Sequence, residues 1–151
     1  MRIEEIEAKT IYGISTRTKN LNEMNPETAK IGAIWQKFDI TVEVSYKDGE
    51  RVYGVYYNYE SDANGEFNVM AGYATLNDEL DMVKIEKGRY LVFNKIFEPT
   101  DESTRIQAII ETWGKIWDFF SNENSQYKRI YTTDFEFYKN QNEIEIYISI
   151  E

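Results

Sequence analysis

Ile34-Trp35-Gln36-Lys37-Phe38 recurs, 78 residues later, as Thr112-Trp113-Gly114-Lys115-Ile116. The same offset lays Tyr12 on Tyr90, Lys37 on Lys115 and Tyr53 on Tyr131 without a gap. Several coincidences at one offset mark an internal duplication. Around each Trp the apolar residues fall at helical spacing: Ile31, Ile34, Trp35 and Phe38 in the first copy, and Ile106, Ile109, Ile110, Trp113, Ile116, Trp117 and Phe120 in the second. Asn25-Pro26-Glu27 reads as the start of the first helix. Pro99 with Asp101 or Ser103 opens the second, and Ser121-Asn122-Glu123-Asn124 stops it.

Strand patterns surround both helices. Residues 11–18 read as a strand, 40–46 as a short strand or extended edge, and 51–60 and 67–76 as two Tyr-rich strands joined through Ser61-Asp62-Ala63-Asn64-Gly65. Residues 82–97 carry a further strand, and 128–138 and 143–150 form a hairpin turning at Lys139-Asn140-Gln141-Asn142. The expected unit is strand, helix, strand, strand, once in about 1–78 and once in about 79–151, within a single domain. Such duplicates pair about a pseudo-two-fold axis, which predicts an α+β fold: one antiparallel sheet, two main helices on one face and a ligand groove on the other.

Alternation assigns the faces of the last hairpin. Ile144, Ile146, Ile148 and Ile150 form a row that belongs against the helices, with Glu143, Glu145, Tyr147 and Ser149 opposite. On the preceding strand the same logic sends Tyr131, Thr133, Phe135 and Phe137 to the core, and Asp134, Glu136 and Tyr138 to the far face. The offset lays Glu136 on Asn58 and Asp134 on Tyr56, so polar and aromatic groups meet near the axis. A carboxylate among Tyr and Trp rings suits an organic cation, whereas acids alternating with Ile also suit a solvated outer face. Trp113 and Trp117, four residues apart, fit core packing as well as a ligand wall.

Composition narrows the chemistry. The 151 residues include no His and no Cys, which excludes His-dependent nucleophilic triads, Cys/His metal sites and disulfides. The 27 acidic against 17 basic residues give a net charge of −10, with no basic stripe to hold a nucleic acid. No run is long and apolar enough for a membrane span, the charged start Met1-Arg2-Ile3-Glu4-Glu5-Ile6 is unlike a signal peptide, and the expected compartment is the cytoplasm. No cofactor or metal is expected. Twelve Tyr, eight Phe and three Trp exceed what a small core hides, which points to rings on half-buried strands or around a concave surface.

Four segments resemble the GyrI-like small-molecule binding domain family, which also supplies effector-binding domains of AraC-type and MerR-type multidrug-responsive regulators. They are Glu86-Lys87-Gly88-Arg89-Tyr90-Leu91-Val92-Phe93, the helix Trp113-Gly114-Lys115-Ile116-Trp117-Asp118-Phe119-Phe120, Thr133-Asp134-Phe135-Glu136-Phe137-Tyr138, and Ile144-Glu145-Ile146-Tyr147-Ile148-Ser149-Ile150. The resemblance implies a pocket on the pseudo-two-fold axis, with an acid at the position of Glu136 and aromatics around it. Ligand-binding candidates are Glu136, Trp113, Trp117, Tyr147, Tyr56, Asn58 and Tyr73. The implied partner is a bulky lipophilic, often cationic, small molecule. A chain of 151 residues leaves no room for the helix-turn-helix module of such regulators, so direct nucleic-acid binding is not expected. Two further functions accompany the resemblance. One is hydrolysis of strained cyclopropane-type compounds with Glu136 as general base, helped by Tyr147 or Tyr56; the other is a protein-interaction module related to gyrase inhibition.

Overall fold

A computed structural model describes residues 1–98, 101–122 and 125–151. Its elements run β1 (Arg2–Ile6), β2 (Lys9–Thr18), α1 (Asn20–Glu23), α2 (Ile31–Thr41), β3 (Val52–Tyr57), β4 (Phe67–Tyr73), β5 (Asp81–Ile85), β6 (Gly88–Ile96), α3 (Glu102–Ser121), β7 (Thr133–Asn140) and β8 (Glu143–Ile150). All eight strands form one sheet in the order β1-β6-β8-β7-β3-β4-β2-β5, and every pair is antiparallel.

That order is a palindrome of the duplication. β2, β3 and β4 of the first half match β6, β7 and β8 of the second. The halves join through β3 and β7, where Tyr56 pairs directly with Asp134, its counterpart at the 78-residue offset. The pseudo-two-fold axis therefore passes through this pair. The duplication also contains a strand that the sequence pattern did not separate. β1 and β5 are counterparts, and each is exchanged, β1 onto β6 of the second half and β5 onto β2 of the first. Residues 82–97, expected as one strand, are thus two that go to different parts of the sheet, the second opening on Gly88 at φ +156°.

Both faces of the sheet are apolar. The sheet curls until Ile11, Val55, Met70, Ile85, Tyr90, Phe135 and Tyr147, contributed by seven strands, meet in one cluster. Phe135 and Tyr147 stack at 4.4 Å between centroids and 7° between planes. On the other face α2 packs Ile34 and Phe38 on Val52, Phe67, Val69 and Tyr73, and α3 packs Ile116 on Ile144, Ile146 and Ile148. The helices thus cover separate halves of one face. This corrects the expected facing of β7. Glu136 pairs with Ile146 and Phe135 with Tyr147, so Asp134, Glu136 and Tyr138 share the helix face while Phe135 and Phe137 lie on the opposite one. Where both faces are covered, alternation gives the period of a strand but does not say which row meets the helices.

Other differences are local. Asn25 holds a turn by accepting from the backbone N–H of Glu27 (3.0 Å), and α2 starts six residues later. The first backbone N–H groups there donate instead to Glu23, from Lys30 (2.9 Å) and Ile31 (3.1 Å). Residues 40–46 form no strand: α2 continues to Thr41, whose hydroxyl donates to the Lys37 carbonyl, and Val42 and Val44 then pack beneath β4. β7 starts at Thr133 because Tyr131 takes φ +53° and breaks the extended chain. α3 is capped by the Asp101 carboxylate, which accepts from the Thr104 N–H at 2.8 Å, while Pro99, Glu123 and Asn124 lie outside the described residues.

Candidate functional site

A cavity of about 600 Å³ lies where α2 and α3 part above β3 and β7, a volume within the usual range for small-molecule sites. It is on the helix face, not the opposite face that strand alternation suggested. Val52 and Tyr56 of β3 and Glu136 and Tyr138 of β7 form its floor. Trp35 lines it from α2, and Ile106, Ile110, Trp113 and Trp117 line it from α3.

Helix α3 reaches this arrangement by dividing its apolar residues between two directions. Its fully buried positions are Ala108, Thr112 and Ile116, a stripe of mostly small side chains set against the sheet. The Thr112 hydroxyl is satisfied by the Ala108 carbonyl at 2.8 Å. The larger Ile106, Ile110 and Trp117 remain between 36% and 57% exposed and face the cavity. A helix that points its small residues at the sheet and leaves its bulky ones uncovered exposes apolar area that a ligand can bury.

Glu136 is the polar centre. It is 3% exposed, and its carboxylate accepts three hydrogen bonds, Oε2 from Trp113 Nε1 (2.7 Å) and the Tyr56 hydroxyl (2.9 Å), and Oε1 from the Tyr138 hydroxyl (2.9 Å). All three donors are neutral. Burial pushes the Glu136 carboxyl above its ordinary value, and the three hydrogen bonds oppose that shift. Burial and the adjacent carboxylate drive the Tyr56 and Tyr138 phenols well up, so both keep the protons they donate. The rings enclose the carboxylate at contact distance: Tyr56 lies 5.1 Å from Trp113, and Tyr138 lies 5.2 Å from Trp35, both edge to face. Trp35 and Trp113, the pair that revealed the duplication, thus flank one carboxylate from the two helices.

Gly54 makes room for this carboxylate. It pairs with Glu136 across β3 and β7, and a Cβ there would sit 2.5 Å from Glu136 Oε1 and 3.3 Å from the Trp35 ring. Glu136 could retreat only by abandoning hydrogen bonds in a buried setting. Gly54→Ala is therefore expected to destabilise the protein by about 1–3 kcal/mol, measured by urea unfolding, without changing its secondary structure.

A second buried acid sits two residues away on the same face. Asp134 Oδ2 accepts from Arg129 Nη2 (2.7 Å) and the Tyr59 hydroxyl (2.6 Å), and Oδ1 from the N–H (2.8 Å) and hydroxyl (3.1 Å) of Ser149. The Arg129 guanidinium also lies over Tyr131 at 4.4 Å. Asp134 is thus neutralised by a partner within the fold, whereas no ion pair among the described residues reaches Glu136. The two acids are consequently different in kind.

Of the seven residues singled out from sequence, Glu136, Trp113, Trp117 and Tyr56 line the cavity. Tyr147 lies on the opposite face, stacked on Phe135 and donating to Glu145 at 3.1 Å. Asn58 takes φ +51° just beyond β3, with its carbonyl bound by Arg17. Tyr73 is buried against Phe38, its hydroxyl accepting from Asn77. Tyr138 and Trp35 were not among the seven, although Tyr138 shares the strand row of Glu136 and Trp35 is the repeat partner of Trp113. A shared row and a shared offset were the available signals. Among the described residues no cluster of acids is arranged to hold a metal ion, and no helix is long and apolar enough to cross a membrane.

A family model described as an integron-associated effector binding protein matches residues 2–150. The chain belongs to this family. An integron cassette protein from the mobile metagenome of Vibrio cholerae is similar to it over 99% of this chain and 95% of that one, at 39% identity and a TM-score of 0.84. Two more distant structures share the fold at 15% identity. A Staphylococcus aureus protein named for bacterial transcription regulation aligns with a TM-score of 0.65 over 99% of this chain and 97% of its own. SAV2435, solved bound to tetraphenylphosphonium, aligns with a TM-score of 0.63 over 99% and 93%. No curated protein matches in sequence. The effector-binding description fits a fold whose helices part to leave an aromatic cavity over its central strands.

Proposed function

We propose that the cavity binds a bulky lipophilic cation, with the Glu136 carboxylate as its counter-charge and Trp113, Tyr56, Tyr138 and Trp35 as its aromatic wall. The observation that carries this reading is a buried carboxylate held by three neutral donors. Such a group is desolvated without receiving a positive charge, and an organic cation entering beside it supplies one. The rings add cation–π attraction, and the uncovered Ile and Trp residues of α3 add apolar contact. A protein of similar fold has been solved with tetraphenylphosphonium, which makes this cation a suitable probe, and the GyrI-like resemblance favours the same ligand class.

Titration of Trp fluorescence with tetraphenylphosphonium at neutral pH tests the reading. Saturable quenching with one site per chain is expected, and no saturable change up to millimolar ligand contradicts it. Binding is also expected to depend on pH with a definite sign. Burial raises the carboxyl above 4.5, so acidification protonates Glu136 earlier than an exposed Glu. Affinity should be full above this raised pKa and fall as pH drops through it. Because the cation favours the ionised form, binding within that window should release protons, which calorimetry in buffers of different ionisation enthalpy detects. A flat profile down to pH 4.5 would remove Glu136 from the site.

A further inference from the structure

The cavity is lined by two cationic side chains among the described residues, Arg129 and Arg105. Arg129 is committed to Asp134 at 2.7 Å. Arg105, in the first turn of α3, is held more loosely: its ion pair to Glu102 is 3.9 Å long, with the Arg105 side chain about half exposed and that of Glu102 largely so. Its guanidinium carbon lies 6.0 Å from the centre of the Tyr138 ring, the same ring whose hydroxyl donates to Glu136. Asp39 of α2 and Tyr46, which also line the cavity, lie within its electrostatic reach, so Arg105 occupies the gap between the two helices at the mouth.

We propose that Arg105 is a resident cation of the cavity, which sits over the Tyr138 face in the empty site and must swing outward for a ligand cation to take that face. The proposal rests on the reading of the cavity as a cation site. It makes Arg105 a specificity-determining residue that weakens binding of every cation. Small hydrophilic cations, which gain little from the apolar wall, cannot repay its displacement, whereas bulky lipophilic ones can. Glu102 and Asp39, already near the guanidinium, remain at the rim to compensate it as it moves. Loose pairing and partial exposure keep the cost of the movement within what a ligand of large apolar area offsets.

The test is calorimetric titration of tetraphenylphosphonium and of neutral triphenylphosphine oxide into the unaltered protein, Arg105→Gln and Arg105→Lys. Arg105→Gln should bind the phosphonium about three- to tenfold more tightly, the scale of one partly exposed cation–π or like-charge contact, with a smaller gain for the neutral oxide, which pays the displacement but not the like-charge repulsion. Arg105→Lys, which keeps the charge, should stay near the unaltered protein. The gain in Arg105→Gln should shrink as salt is raised. Equal or weaker phosphonium binding by Arg105→Gln, or an equal gain for the neutral oxide, overturns the resident-cation role and leaves the cation site standing. Failure of all three proteins to bind the phosphonium overturns the cation site itself, and this inference with it. A thermal melt within a few degrees of the unaltered protein is expected for both variants, because Arg105 is about half exposed.

Discussion

Glu136→Gln is expected to lose tetraphenylphosphonium affinity by about 30- to 150-fold, equivalent to roughly 2–3 kcal/mol, while the fold survives. Two features make this substitution a clean probe. The amide keeps the size of the side chain and one carbonyl oxygen, which still accepts from Trp113 and Tyr56. Its NH₂ then faces the Tyr138 hydroxyl, which can accept as well as donate, so only the Tyr138 proton must find a new acceptor, on the cavity side. The charge alone disappears. Because burial disfavours that charge in the empty protein, Glu136→Gln should also be as stable as the unaltered protein or slightly more so at neutral pH. The linkage has the matching sign. A carboxyl whose folded pKa lies above its unfolded one penalises the native state once pH rises through the folded value, and the penalty vanishes in acid. The stability gap between the variant and its parent should therefore close as pH is lowered toward 4.5. A variant that binds as tightly as its parent removes the counter-charge from the account.

Asp134→Ala is expected to show the largest loss of stability, about 3–5 kcal/mol by urea unfolding, a large share of what a domain of this size possesses. Asp134 is fully buried and receives four hydrogen bonds, from Arg129, Tyr59 and Ser149. Its removal strands the Arg129 guanidinium, whose side chain is only 6% exposed and whose Nε already lacks a partner. Because the pair sits at the pseudo-two-fold junction, the loss falls where the two halves meet. Combining Asp134→Leu with Arg129→Met should recover part of the stability, since it removes the uncompensated charge but still leaves the Tyr59 and Ser149 donors without their acceptor. A loss below about 1 kcal/mol in Asp134→Ala would show that the pair does not hold the junction.

The contrast between the two acids explains what sequence could and could not reveal. Both alternate with apolar residues on one strand, and both fall on the same row. The row is legible; the partner of each acid is not. Between Arg129 and Asp134 the chain turns at Tyr131, φ +53°, a backbone conformation that a Tyr does not announce. The duplication was legible from Trp35, Trp113 and Tyr90 because it repeats identity at one offset, and it predicted one antiparallel sheet with two helices on one face; that the halves join through β3 and β7 is seen only in the structure. Exchange of β1 and β5 was hidden, since two short edge strands with alternating charge look like extensions of their neighbours. The side of the sheet on which the cavity opens was hidden for a related reason. Phe135 and Ile146 are equally apolar, and only the curling of the sheet, which closes one face on itself, leaves the other for the helices. Helix α3 carried a misleading signal as well. Its most apolar stripe, Ile106, Ile110, Trp113 and Trp117, reads as core, whereas the small residues Ala108 and Thr112 meet the sheet.

A crystal structure of the protein with tetraphenylphosphonium would show whether the Glu136 carboxylate and its aromatic wall receive a lipophilic cation between the two helices. The phosphorus is expected in the cavity over β3 and β7, with phenyl groups against Trp113 and Tyr138, ring centroids within about 6 Å of the cation, and Arg105 turned out of the mouth. A phosphonium bound elsewhere, or a cavity left empty at saturating ligand, would contradict that binding mode.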